Sequence, residues 1–263
     1  MLDNVQIIQF KEKIDMGEFT NKVVVITGGN SGIGEAIAKK FDQEGAKIVI
    51  FGRDQNRLET VCKELNQAVY VQGDVRLIPD LDKLFATAIQ NFGKIDVLVA
   101  NAGISTRKKI EEVDEELFDE MVSINYKGVY FTVQRSIPHL NTNSSVILIS
   151  SAAAHKGWRF HSVYSSTKAA VSMLARNFAA DLIDKGIRVN AVSPGFTDTP
   201  IFDETKAVNP KQLEEFTKGI PLKRFANSEE IAESVAFLAS SKATYIVGVD
   251  LVVDGGASSI YPL

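Results

Sequence analysis

Seven short apolar runs, rich in β-branched residues, alternate along this chain with longer stretches whose apolar residues recur at helical spacing. Val23–Thr27, Lys47–Phe51, Ala68–Gln72, Ile95–Ala100, Ser145–Ser150, Ile187–Ser193 and Val249–Val253 read as strands. Gly32–Glu44, Asp54–Leu65, Ile78–Phe92, Asp114–His139, Ser162–Lys185 and Glu229–Ala239 read as helices. Strands alternating with helices predict a parallel sheet covered on both faces. The runs are apolar throughout rather than alternating, as strands buried on two sides should be. Right-handed crossovers then give an α/β, doubly wound Rossmann fold, with a seven-stranded parallel sheet flanked by helices.

No linker divides the chain, so 263 residues form one domain over 21–263 behind an N-terminal extension, residues 1–20. Pro194 to Asn227 is the least regular stretch and contains Pro194, Pro200, Pro210 and Pro221. Near a site such a segment serves as a substrate lid, and elsewhere as a surface excursion.

Composition removes several functions. The formal net charge is −4, and no Lys/Arg run forms the basic footprint of a nucleic-acid binder. One cysteine, Cys62, excludes an intrachain disulfide and fits a reducing, cytoplasmic setting. His139, His155 and His161 have no metal-ligand spacing, so no metal is expected. No apolar run approaches the ~18 residues of a membrane span. Charges and Gln interrupt the first residues too often for a secretory core.

Two constellations carry chemistry. Thr27-Gly28-Gly29-Asn30-Ser31-Gly32-Ile33-Gly34 joins the first strand to the first helix. Glycines there let backbone approach a pyrophosphate, and the helix N-terminus offers N–H groups to it. A tight strand-to-helix turn would need glycines as well. Tyr164 and Lys168 stand i, i+4 on one predicted helix face. An ammonium beside a phenol favours phenolate. Work at pH 7 asks for a drop of about three units, roughly 4 kcal/mol. A solvated helix face would show the same spacing. Ser151 closes the preceding strand, at the carboxyl edge where parallel sheets bind ligands.

The ordered set TGGNSGIG, Asn101-Ala102-Gly103, Asn125, Ser151, Tyr164-x-x-x-Lys168, Pro194-Gly195 and the terminal Asp250–Gly256 run resembles the short-chain dehydrogenase/reductase family over residues 20–260. The resemblance implies an NAD(P)-dependent enzyme interconverting a carbonyl and a secondary alcohol. It makes Tyr164 the general acid/base and gives Lys168 the nicotinamide ribose. Ser151 takes the substrate oxygen, with Ser150 its rival in the run. Asn125 becomes the helix-interrupting residue that places a water for proton relay.

Cofactor contacts implied by the resemblance fall on Gly28, Asn30, Ser31, Gly32, Ile33, Gly34, Asp74, Val75, Asn101, Ala102, Gly103, Tyr164, Lys168, Pro194, Gly195, Thr197 and Thr199. Asn101 also supports the central strand, and Asn190 is structural. The partner is a small carbonyl or alcohol, and the family's habit implies a homotetramer. A cofactor-binding regulator without turnover, and an epimerase or dehydratase, are the alternatives.

NADP(H) is favoured over NAD(H). Asp54 stands twenty residues past Gly34, where an acid could read a ribose hydroxyl. The strand ends at Gly52, however, and Arg53 follows, offering a guanidinium to a 2′-phosphate. Arg57 assists or is simply solvated. Ser31 departs from the basic residue of many NADP-type relatives. His155, Trp158, Phe160 and His161 border the substrate or pack on the next helix, and Phe196, Ile201 and Phe202 line the lid side.

Overall fold

The structure, a computed structural model, describes residues 17–202 and 210–260. Seven parallel strands lie in the order β3-β2-β1-β4-β5-β6-β7. They are β1 (Val23–Thr27), β2 (Lys47–Gly52), β3 (Ala68–Gln72), β4 (Ile95–Ala100), β5 (Leu140–Ile149), β6 (Arg188–Pro194) and β7 (Asp250–Val253). Successive residues of β1 feed opposite faces. Val23 and Val25 join one hydrophobic core, and Val24 and Ile26 join the other. That two-sided burial is why the strands read as unbroken apolar runs.

One core is closed by α3 (Ile78–Phe92), α5 (Val129–Ser136) and α6 (Ser162–Leu182). The other is closed by α1 (Gly32–Gln43), α2 (Gln55–Lys63) and α8 (Ser228–Ala239). The remaining helices are α4 (Glu115–Val122) and α7 (Pro210–Gly219). Helix starts follow capping chemistry. Asp54 accepts the Arg57 N–H, Asp114 accepts the Leu117 N–H, and Asn227 with Glu230 forms a capping box.

The chain leaves β3 at one sheet edge and returns through α3 to place β4 beside β1. This reversal opens a crevice at the carboxyl ends of β1 and β4.

Three differences from the sequence expectation have physical causes. The expected helix Asp114–His139 is interrupted. Residues Ser123–Gly128 form a π-helical stretch between α4 and α5, and Ile137–His139 a final 3-10 turn. The interruption centres on Asn125, whose side chain bonds the Ile104 backbone. β5 begins at Leu140 rather than Ser145, because Leu140 pairs with Ile95 ahead of a register shift in β4. Ser150 lies past the end of β5, although its N–H still donates to the Val192 carbonyl at 2.8 Å.

Packing begins at Gly17–Thr20, inside the stretch that the sequence set apart as an extension. Phe19 is buried and meets Phe41 edge-on at 4.6 Å. Residues 1–16 of that extension lie outside the described residues. Within the Pro194–Asn227 segment, so do residues 203–209 and the side chain of Phe202. Among the described residues, no helix is long and apolar enough to cross a membrane.

Candidate active site

The crevice is a cavity of about 650 Å³. At one end lie Arg53, Asp54 and Arg57, and along its floor the turn from Gly28 to Gly34. Ser151, Tyr164 and Lys168 stand at the other end, beside Trp158, His161, Phe196 and Ile201. Asp74, Val75, Asn101, Ala102, Gly103, Pro194, Gly195, Thr197 and Thr199 complete the walls. Every residue assigned from sequence to catalysis or cofactor binding, except Asn125, therefore lines a single space, whereas His155, bonded to Asp250 and Ser193, and Phe160 of the expected substrate border do not.

The glycine turn has the shape a pyrophosphate requires. Gly28 has φ of 66° and a Cβ there would lie 2.8 Å from the Asn101 amide nitrogen. A Cβ on Gly34 would run into the Gly28 carbonyl oxygen. Asn101 holds the turn by donating to the Thr27 and Gly28 carbonyls at 3.0 and 3.1 Å. The Thr27 hydroxyl accepts the Asn101 and Ala102 N–H groups. Ser31 is the N-cap of α1, yet its side chain makes no capping bond. The first-turn N–H groups thus remain available to an anion. These features fit a dinucleotide phosphate. Thr199 closes over the turn, with its methyl 3.1 Å from where a Gly32 Cβ would be.

At the end of β2, the Asn30 side chain packs over Gly52. A Cβ there would lie 2.5 Å from Asn30 Oδ1. An acidic strand-end residue, of the kind that reads a ribose hydroxyl, is sterically excluded unless Asn30 moves. Asp74 is engaged by Arg76 at 2.9 Å through Nε. Burial by itself would raise the Asp74 carboxyl, but the Arg76 side-chain and backbone bonds hold it below the usual range.

The catalytic candidates meet at the carboxyl end of β5. Ser151 caps the 3-10 turn Ala152–Ala154, and its Oγ accepts the Ala153 N–H at 3.2 Å. Ser150, the rival serine, also borders the cavity but is buried, and its hydroxyl is already committed to the Lys168 carbonyl and to Ser172. Lys168 is buried, and its Nζ donates to the Ile149 carbonyl at 2.9 Å. That nitrogen lies 5.9 Å from the Tyr164 ring centre.

The expected depression of the Tyr164 phenol is not built into the cofactor-free protein. Burial raises it above the ordinary phenol value, and the neighbouring Ser151 hydroxyl only partly opposes this. Removal from water disfavours the phenolate more than a distant ammonium favours it. Burial also lowers the Lys168 amine to about 8.

A depression of that size costs the folded state about 3 kcal/mol wherever both states are protonated, that is below pH 8. Between pH 8 and the unfolded value near 10.5, unfolding takes up a proton, so this penalty fades as pH rises. Lys168→Met is therefore expected to be more stable than the parent near neutral pH, with the advantage shrinking toward about pH 10. Urea unfolding of both cofactor-free proteins across that range measures it. A pH-independent difference would contradict a buried titrating amine.

Asn125 is the residue the structure does not bring to the cavity wall. Its side chain is fully buried, accepting the Ile104 N–H at 2.8 Å and donating to the Ile104 carbonyl at 2.9 Å and to Thr167 at 3.3 Å. These bonds use the carboxamide to lock the loop after Gly103 against α6, leaving no part of it to face the cavity. Sequence reasoning missed Ile104, Ser105, Ala153 and Ala257, which also line the space. Adjacency to the Asn101-Ala102-Gly103 turn was a signal for the first two. Thr27, the pin under Asn101, had no signal beyond its place at a strand end.

The family model described as enoyl-(acyl carrier protein) reductase matches residues 28–258. Oxidoreductase asL5 of Sarocladium schorii is 38% identical over 244 residues, covering 92% of this chain and 97% of that protein. The crystal structure of a short-chain dehydrogenase/reductase of Brucella melitensis, described as a glucose/ribitol dehydrogenase, superposes with a TM-score of 0.87. It is 34% identical, over 92% of this chain and 98% of its own. A 3-ketoacyl-(acyl-carrier-protein) reductase of the same organism, complexed with NADH, gives a TM-score of 0.84. It is also 34% identical, over 91% and 99%.

Proposed function

The chain belongs to the short-chain dehydrogenase/reductase family, and from that premise we propose that it is an NADP(H)-preferring oxidoreductase that interconverts a carbonyl and a secondary alcohol. The observation that carries the reading is one cavity joining a phosphate-shaped glycine turn to Ser151, Tyr164 and Lys168. A bound nicotinamide dinucleotide supplies the two-electron reducing or oxidising equivalent there.

The chain's own residues do the rest. Backbone of the Gly28–Gly34 turn and the α1 N-terminus take the pyrophosphate. Arg53 takes the 2′-phosphate, and the strand-end position before it is a glycine with Asn30 packed over it, not an acid. Ser151 Oγ donates to the substrate oxygen and fixes it against Tyr164. The phenol, kept protonated by burial, gives its proton to that oxygen as the alcohol forms. Lys168, fixed on the Ile149 carbonyl, stabilises the phenolate left behind and returns a proton. Asn125 acts through position, holding the 104 loop against α6. The Phe196–Ile201 stretch serves as the inner wall of a lid.

A homotetramer in the cytoplasm completes the reading. Its support is an outward groove of about 520 Å³ between α4 and α6, bordered by the exposed Ile110, Phe118 and Tyr126, together with the single cysteine.

Purified protein is expected to oxidise NADPH in the presence of an accepting ketone or aldehyde, with one alcohol formed per NADPH consumed. Product formation without net NADPH consumption would point to epimerisation or dehydration. Tight NADPH binding with no turnover across a broad carbonyl panel would point to a regulator.

A further inference from the structure

The substrate end of the cavity has a charge pattern that carbonyl reduction does not require. Two loops border it, residues 104–109 and 152–161. Together they hold Arg107, Lys108, Lys109, Lys156 and Arg159 and no Asp or Glu, in a chain whose net charge is −4. The loops are tied to each other, the Lys108 N–H donating to the Phe160 carbonyl at 3.0 Å. Phe160 has φ of 69°, a left-handed conformation unfavourable for a bulky side chain. That strain is sustained where the loop presents its ring to a cation.

Two guanidiniums lie over that ring, Arg159 at 5.2 Å and Arg107 at 5.8 Å, and Arg107 stands two residues beyond the cavity-lining Ser105. Its guanidinium lies 5.0 Å from the ring centre of Phe216 on α7 and 5.8 Å from that of Phe160. Phe216 in turn stacks on Phe196 at 4.9 Å, and Phe196 meets Trp158 edge-on at 5.4 Å. Lys109 is paired with Glu112 at 3.0 Å. Arg107 has no carboxylate partner and donates no hydrogen bond among the described residues. Aromatic faces hold a guanidinium without occupying its N–H donors. Arg107 does not itself line the cavity, but it lies over Phe216, which stacks on the lining Phe196. The imidazole of His161, which lines the wall, is lowered by burial and further by the Arg107 charge, against the Arg159 carbonyl bond. A second donor is left open on the same wall. The Trp158 indole N–H is buried without an acceptor.

We propose that Arg107 is the anion-recognising residue of the substrate site, and that the substrate carries a carboxylate or phosphate on an apolar body. The inference rests on the oxidoreductase reading of the same cavity. Trp158, Phe196 and Ile201 form the wall for the apolar part. The guanidinium offers a carboxylate or phosphate two parallel charge-assisted bonds, geometry that an ammonium does not match. The surrounding Lys and Arg concentrate anions at the mouth of an otherwise acidic protein.

Trp158 is the only tryptophan in the chain, so intrinsic fluorescence reports directly on this wall. The test titrates cyclohexanecarboxylate, cyclohexyl phosphate and cyclohexanecarboxamide into protein saturated with NADP+, in the parent and in Arg107→Met and Arg107→Lys. Either anion is expected to bind the parent at least about tenfold more tightly than the amide. Whichever anion binds more tightly identifies the charged group. The preference should collapse in Arg107→Met, which keeps an unbranched chain between the rings, and persist in weakened form in Arg107→Lys. Equal affinities in the parent, or an anion preference unchanged in Arg107→Met, would overturn the proposal. The readout needs no turnover. Anion preference in a protein that never oxidises NADPH would sink the oxidoreductase reading alone, whereas NADPH-dependent reduction without anion preference would sink this one alone.

Discussion

Replacing Tyr164 by Phe is expected to lower turnover by a factor of about 10²–10⁴ while NADPH affinity stays within about twofold. The ring fills the same space beside His161, 6.0 Å from its centre, so packing survives. What disappears is the one proton donor at the carbonyl oxygen. Ser151 can still bond that oxygen, but a serine hydroxyl is a far weaker acid and cannot be left as an anion at neutral pH. Lys168 does not substitute, because its Nζ is held on the Ile149 carbonyl rather than at the position of the phenol oxygen. Single-turnover rates with NADPH prebound separate this loss from any change in binding. Turnover above about one tenth of the parent would remove Tyr164 from the mechanism.

Arg53→Ala is expected to weaken NADPH by about ten- to a hundredfold and NADH by no more than about twofold. The estimate follows from about 1.5–3 kcal/mol for hydrogen bonds to a charged group. Arg53 lines the cavity end next to Gly52, and its backbone carbonyl is held by Gln72 at 3.1 Å. Removing the side chain therefore leaves the backbone in place. Asp54 lines the same end and caps α2 through one oxygen, accepting the Arg57 N–H at 3.1 Å, so tightened NADH binding in the variant would mark it as the ribose reader. Calorimetry on the variant with both dinucleotides measures the difference. Equal weakening of the two would exclude a 2′-phosphate contact.

The fold was legible because its signals are local. Strands buried on both faces show as unbroken apolar runs, and the helices between them bury one stripe each. The glycine turn was legible for the same reason, since its backbone needs no side chains at Gly28 and Gly34 wherever the rest of the chain lies. The π-helical interruption at Asn125 was not legible from periodicity, because its partner, Ile104, lies in another loop. Nor was the start of β5, whose residues 140–144 are mostly polar and are drawn into the sheet by pairing with Ile95.

The pKa of Tyr164 escaped for a different reason. The i, i+4 spacing shows that an ammonium is near, but the desolvation opposing it depends on the whole wall of the cavity. Arg53 could be found by its place after the strand. The packing of Asn30 over Gly52, and the meeting of Arg107 with Phe216, arise only when distant segments converge.

The most direct test of the account is a pair of titrations, NADPH and NADH, into the purified cofactor-free protein at matched ionic strength. The account predicts binding of both, with NADPH tighter by at least about tenfold, or about 1.4 kcal/mol. NADH binding as tightly or more tightly would contradict the assignment of Arg53, and failure of both to bind would contradict the cavity's role as a dinucleotide site.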